Sequence, residues 1–350
     1  MKFRTLVPLF VLAVAQARAH VTVAIIDTGA DLAHPLLKNN LWTNPGESGV
    51  DPKGRDRATN GIDDDGNGFI DDVHGWNFTD DSNHVTDVHG HGTHIAGIIA
   101  AGAPGASLMI LKYYDPKASG EENQKNTLRA IEYATKMKVQ IINYSAGGTD
   151  ASATEKSAIE RAADDHILFI AAAGNERSDS DRVGFYPASY ELPNILSVTA
   201  TDARPKTALP ATAKILASSN FGRKSVDLAA PGKNILSSMP GAHGRVGLMT
   251  GTSQATAFVS AAAARLWDEN PGLDNPLELI PYLTQCGDEN DDVLAKTKSG
   301  HAVNTERALS MKGPELSALG HHLAEAQLTE ALLDDESPFR TEAARLSRLP

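Results

Sequence analysis

Three residues far apart in the chain have the types needed for nucleophilic catalysis: Asp27, His91 and Ser253. A serine hydroxyl attacks poorly unless a base removes its proton. Histidine is the natural base near neutral pH. A buried carboxylate fixes the histidine tautomer and stabilises the imidazolium that forms. The oxyanion created by the attack needs fixed donors. The backbone N–H of Ser253, at the start of a helix, and the side-chain amide of Asn175 are suitable ones. Each residue sits in a motif of small residues: Asp27-Thr28-Gly29, His91-Gly92-Thr93-His94, Ala171-Ala172-Ala173-Gly174-Asn175 and Gly251-Thr252-Ser253. His89, His91 and His94 also have a spacing that a metal could use, but no HExxH pattern accompanies them.

Such residues need elements to bring them together. Val21–Ile26, Leu108–Tyr113, Val139–Asn143, Ile167–Ala171 and Ile195–Thr199 are short, continuous apolar runs. They predict strands buried on both faces. Helical period lies between several of them, as at Leu128, Ile131 and Ala134. Strand–helix alternation predicts an α/β fold of three layers, with a mostly parallel central sheet and helices on both faces. In such sheets chemistry collects at the carboxyl ends of the strands. Asp27 and Asn175 follow strands; His91 and Ser253 open helices, the second running to about Trp267.

The chain has 350 residues, of which 41% are apolar, enough for a sizeable core. Its 44 acidic and 32 basic residues give a formal charge of −12, which argues against nucleic acid as a partner. The single cysteine, Cys286, excludes an intrachain disulfide framework and leaves the nucleophile's role to serine. Residues 1–19 have a basic start (Lys2, Arg4), an apolar run from Leu6 to Val14 and a small-x-small end, Ala17-Arg18-Ala19. They are expected to be a secretory signal peptide. Its removal takes the charge to −15. The product is expected to be secreted or periplasmic, a monomer, with no membrane anchor. Residues 20–312 are expected to form one domain, and 313–350 a short helical C-terminal tail.

The order and content of the motifs resemble the subtilisin-like serine proteases, the subtilases. Asp27-Thr-Gly-Ala-Asp-Leu-Ala-His34-Pro35, His91-Gly-Thr-His-Ile-Ala-Gly97, Asn143-Tyr-Ser145-Ala-Gly147-Gly148, Ala171 to Asn175, Asp227-Leu-Ala-Ala-Pro231-Gly232 and Gly251-Thr-Ser-Gln-Ala-Thr256 follow the family's order. The resemblance implies a serine endopeptidase acting on peptide or protein substrates through an acyl-enzyme. It makes Asp27, His91 and Ser253 the triad and Asn175 the oxyanion donor. It gives Ser145, Gly147 and Gly148 backbone contacts to an extended substrate. Ala146, Ala172, Ala173 and Gly174 line the pocket for the side chain before the cleaved bond. Glu176, at the rim, is expected to favour a basic or polar residue there. The alternative is a catalytically silent subtilase fold that binds peptide or protein. Gln254, Ala257 and Phe258 depart from the family's usual Met and Pro-His, and the expected first strand follows the leader with no pro-domain between.

Asp63 to Asp72 carries a separate signal. Asp63, Asp65 and Asn67 stand at alternate positions with Gly68 at the sixth, in the manner of the first half of an EF-hand loop, and Asp71 and Asp72 follow, although His74 stands where its closing glutamate belongs. Eight carboxylates lie between Asp63 and Asp87 with no Lys or Arg among them. These five residues are expected to bind a structural calcium ion.

Overall fold

The computed structural model describes residues 20–205 and 209–311. The expected signal peptide and C-terminal tail lie outside the described residues. In chain order the elements are β1 (Thr22–Asp27), β2 (Gly75–Asn77), α1 (His91–Gly102), β3 (Ser107–Lys112), α2 (Gly120–Lys136), β4 (Ile141–Tyr144), α3 (Ala153–Asp164), β5 (Leu168–Ala172) and β6 (Ile195–Thr201). Next come β7 (Leu228–Pro231), β8 (Ile235–Ser238), β9 (Val246–Met249), α4 (Thr252–Glu269), α5 (Leu279–Gln285), β10 (Asp288–Glu289), α6 (Asp291–Leu294), β11 (His301–Ala302) and α7 (Thr305–Ser310).

Nine strands form one sheet in the order β10-β11-β7-β6-β5-β4-β1-β3-β2. Every pairing in it is parallel except β10 with β11. Strands β8 and β9 make a separate antiparallel ribbon. The predicted three-layer architecture is present. Successive side chains of a strand point to opposite faces. Val23 and Ile25 of β1 therefore join a core with α1 and α4, while Ala24 and Ile26 join a second core with α2 and α3. The same alternation holds for Leu108 and Ile110 against Met109 and Leu111 of β3. Both faces are buried, which is why these strands are apolar without interruption.

The chain moves from β1 to β3 on one side and then to β4 on the other, so β1 is the point where strand order reverses. Open α/β sheets leave a crevice at such a point, beyond the carboxyl ends of the strands. Asp27 ends β1. Helix α4 is rich in buried alanines, Ala255, Ala257 and Ala261–Ala264 among them, and packs on α1 under the sheet. Ala257 lies in the core and Phe258 packs against it, while the helix runs unbroken from Thr252. Asn143 and Asn77 both precede x-Ser/Thr, but each is buried and hydrogen-bonded, leaving neither side chain open to a glycan.

Candidate active site

Helices normally cap their first N–H groups with a local side chain. Helix α2 does so with Ser119 and α3 with Ser152. The helices carrying His91 and Ser253 do not. Each starts after a glycine, Gly90 or Gly251, that makes no side-chain cap. At α1 the cap is Asp87, a buried carboxylate that accepts from the N–H groups of His89, Gly90 and Thr93 at 2.8–2.9 Å and from the Thr93 hydroxyl at 2.6 Å. The Thr28 hydroxyl donates to Asp87 at 3.0 Å and accepts from Gly92 N at 2.9 Å. The residue after Asp27 is thus bonded to the residue after His91.

The pair itself is tight. His91 Nδ1 lies 2.8 and 3.0 Å from the two carboxylate oxygens of Asp27. Asp27 is 4% exposed and also accepts from Thr28 N at 2.7 Å. Burial alone pushes the imidazole down. The charge and hydrogen bond of Asp27, with the charge of Asp87, more than offset it and hold His91 above the ordinary histidine value. Two glycines permit the approach. A Cβ on Gly92 would lie 2.1 Å from the Gly29 carbonyl oxygen, and one on Gly29, at φ +105°, 2.4 Å from that of Val85.

Ser253 is 9% exposed and lies in the first turn of α4. Its hydroxyl donates to the Ser145 carbonyl at 3.0 Å, and no hydrogen bond joins it to His91. Asn175 follows β5; its Oδ1 accepts from Thr252 N at 3.1 Å, which caps α4 and leaves the Nδ2 donors free. The Thr252 hydroxyl is buried without a partner.

The substrate-side residues divide. Ser145 Oγ donates to Ser253 O at 3.2 Å, and a relay from Ser260 through Asn143 to Ser145 ties α4 to the end of β4. Gly147 makes no backbone bond among the described residues and keeps an open edge. Gly148 does not: its N–H and carbonyl are both bonded to Tyr186, at 2.9 and 2.7 Å. Backbone groups two residues apart face the same way, so Ser145 and Gly147 face the crevice and Gly148 faces away, correcting the expectation that all three are open. Ala146 is half-buried; Ala172, Ala173 and Gly174 are buried. Asn220 clamps this segment, bonding Ala173 O, the Glu176 carboxylate and the N–H groups of Glu176 and Ser178. Of the neighbouring histidines, His94 is wholly buried and directs Nε2 to the carbonyls of Ile235 and Gly247, pinning the β8–β9 ribbon to α1.

The expected calcium ligands also divide. Asp65 and Asp72 converge with Glu47, their oxygens within 4.8 Å of one another. Asp63 instead accepts from the N–H groups of Asn67 and Gly68, and Asp71 from Gly61 N. Both are committed to closing the turns of the loop, so neither joins the cluster. Asn67 Nδ2 donates to Asp65 and Asp72, as does Asn44 Nδ2. Tyr133 of α2 donates a short bond to Asp72. Glu47 is 0% exposed, and its Oε2 has no partner. Burial first, and then the charges of Asp72 and Asp65, hold Glu47 above the usual carboxylate range. An orphaned buried oxygen among carboxylates fits a hard cation with oxygen ligands. Glu47 was missed in the sequence because it precedes the acidic run and joins it only through the fold.

Comparison with known proteins identifies the family. A model of the subtilase family matches residues 18–284. The major intracellular serine protease of Bacillus subtilis (strain 168) is 32% identical over 260 residues, covering 70% of this chain and 67% of that one. An intracellular serine protease of Paenibacillus polymyxa is 34% identical over 259 residues, covering 70% and 65%. The chain therefore spans about two thirds of the length of these relatives. Among solved structures, fervidolysin from Fervidobacterium pennivorans, a keratinolytic enzyme related to subtilisin, superposes with a TM-score of 0.62 over 83% of this chain and 42% of that one. At 23% identity, this is a likeness of fold.

Proposed function

Because this chain belongs to the subtilase family, we propose that it is a serine endopeptidase in which Asp27, His91 and Ser253 form the triad. The observation that carries this reading is the buried Asp27–His91 pair at 2.8 Å, on the start of α1, which packs against α4, the helix that Ser253 opens.

The free site is held in a resting arrangement. The Ser253 hydroxyl donates its hydrogen bond to the Ser145 carbonyl. That carbonyl lies on the edge where an extended peptide adds as a strand. A substrate N–H that bonds Ser145 O competes with the serine hydroxyl, which then turns to Nε2 of His91. Loose hydrogen bonds of this kind in a free enzyme tighten when substrate binds. His91 takes the Ser253 proton as Oγ attacks the carbonyl carbon. Asp27 holds the tautomer and stabilises the imidazolium. The oxyanion meets Asn175 Nδ2 and Ser253 N at the start of α4. His91 then returns the proton to the leaving amine, the acyl-enzyme remains on Ser253, and water hydrolyses it by the reverse use of His91.

Glu176, held by Asn220 over Gly174, sets a mild preference for a basic or polar side chain before the cleaved bond. Glu176→Gln is expected to lower the ratio of Lys to Phe cleavage. Calcium, if bound, would be held by Glu47, Asp65 and Asp72 and supplies charge neutralisation, not chemistry at Ser253. The leader-like residues 1–19 support export, although both relatives above are named as intracellular. Labelling by a serine-directed phosphonofluoridate, with Ser253→Ala as control, tests the enzyme reading. Modification of the wild type alone is expected. No labelling of a folded wild type favours the peptide-binding alternative.

A further inference from the structure

The start of β1 meets the end of α4 at a cavity of about 510 Å³, lined by His20, Gly105, Arg265, Asp268 and Glu269 among others. Asp268, in the last turn of α4, reaches across to the residues that precede β1. Its Oδ1 accepts from Val21 N at 3.0 Å. Its Oδ2 faces His20, whose Nδ1 is 4.0 Å away, and has no hydrogen bond among the described residues. A Cβ on Gly105 would lie 2.8 Å from that oxygen and 3.5 Å from Nδ1, so a side chain there would crowd both groups.

This carboxylate is short of a cation. Arg265, in the same cavity, is engaged elsewhere: Nε donates to Glu269 at 2.8 Å and Nη1 to Glu306 at 2.6 Å. No Lys or Arg pairs with Asp268 among the described residues.

The sequence can supply a cation at this place. The small-x-small motif Ala17-Arg18-Ala19 ends immediately before His20. Cleavage there breaks the bond between the Ala19 carbonyl carbon and His20 N. Water adds across that bond, leaving a carboxylate on Ala19 and, once its proton has moved, an ammonium on His20. An α-amine has an ordinary pKa of about 7.7–8.0, so the charged form prevails near neutral pH. In the uncut chain the same nitrogen is a neutral amide. It is one residue, ~3.8 Å along the chain, from the Val21 N–H that Asp268 already holds.

We propose that the α-ammonium released at His20 is bound by Asp268 Oδ2, so that removal of residues 1–19 closes an ion pair between β1 and α4. β1 ends in Asp27, and α4 carries Ser253 in its first turn. The pair ties together the far ends of the two elements that hold those residues, and the chain gains this tie only on maturation. The proposal rests on the leader reading of residues 1–19. The Asp268 side chain is 23% exposed, so solvent screens the pair and its effect is modest.

Mass spectrometry of the exported protein is expected to find His20 as its first residue. Another first residue overturns the proposal together with the leader reading. The ion pair is tested on chains of residues 20–350 that carry Ser253→Ala to exclude self-cleavage. The His20 amine is either free or acetylated, each with Asp268 or with Asp268→Asn. At about pH 7.5 the imidazole is mostly neutral. Acetylation is expected to lower Tm by about 2 °C with Asp268 and to leave it unchanged with Asp268→Asn. About 1 M salt should shrink that loss towards zero. No effect of acetylation, or an equal effect in both backgrounds, overturns the proposal and leaves the leader reading intact. If Asp268→Asn does not fold, the salt dependence decides, because a loss that salt leaves unchanged is not that of an exposed ion pair.

Discussion

At the scale of single residues, the proposed triad makes the His91 imidazole the group that carries the pH dependence. Desolvation lowers its proton affinity, and Asp27 with Asp87 raises it by more. Catalysis needs the neutral form, so kcat/KM is expected to rise with pH through a midpoint above the ordinary histidine value of 6.5. Asp87→Asn removes one of the raising charges. The acidic limb of the profile should then move to lower pH. The same substitution weakens the cap of α1, and should cost about 1 kcal/mol of stability. A profile whose midpoint does not move would show that Asp87 acts on His91 only through the backbone. Asp27→Asn makes a different change, since it leaves a ring that can adopt the wrong tautomer. The template reaction loses about 10⁴ in kcat for that substitution.

At the scale of elements, the two helices that carry His91 and Ser253 have no cap of their own, and residues of the candidate site supply one. Asp87 caps α1, and Asn175 caps α4. Helix position and catalytic geometry are therefore coupled. Gly92 is where the fit is closest, because a Cβ there would overlap the Gly29 carbonyl oxygen at 2.1 Å. Gly92→Ala must push the start of α1 away from β1. A misplacement of ~1 Å costs about 10²-fold in rate, so a large fall in kcat, with KM little changed and a lower Tm, is expected. Kinetics and thermal melts of the folded variant check it. Much of this was legible in the sequence where one short segment holds both residue and context. Asp27 ends an apolar run, and His91 and Ser253 open helices. The strands buried on both faces were legible for the same reason. Asn143, Asn220 and Glu155 were not. Each works through a partner 35 or more residues away: Asn143 through Ser260, Asn220 through Glu176, and Glu155 through Tyr190. Gly148 was misread because its pairing with Tyr186 depends on a loop that has no periodicity to read.

At the scale of the whole molecule, the acidic excess is uneven. Residues 63–87 hold eight carboxylates, against a net charge of −12 for the chain. The fold uses this segment as a strap. Tyr133 of α2 bonds Asp72, and Lys136 Nζ donates to Asn67 O at 2.7 Å, fastening the loop to the helix. Burial, only partly relieved by bonds from Tyr133, Asn44 and Asn67, raises Asp72, and burial with neighbouring charge raises Glu47. Carboxyls with raised folded values bind more protons folded than unfolded. Without a cation, the stability they contribute is present at low pH and lost as pH rises through those values. A bound calcium ion removes that penalty, and at a concentration 100 times Kd it adds about 2.7 kcal/mol. Chelation is therefore expected to lower Tm more at pH 8 than at pH 5, because protonation substitutes in part for the ion in acid. Glu47→Gln and Asp65→Ala should each abolish the calcium dependence. Asp63→Asn and Asp71→Asn should keep it, because those carboxylates bond backbone N–H groups and not the cluster. Differential scanning calorimetry across the four variants separates this ligand set from a general effect of acidic charge, which all four would alter alike.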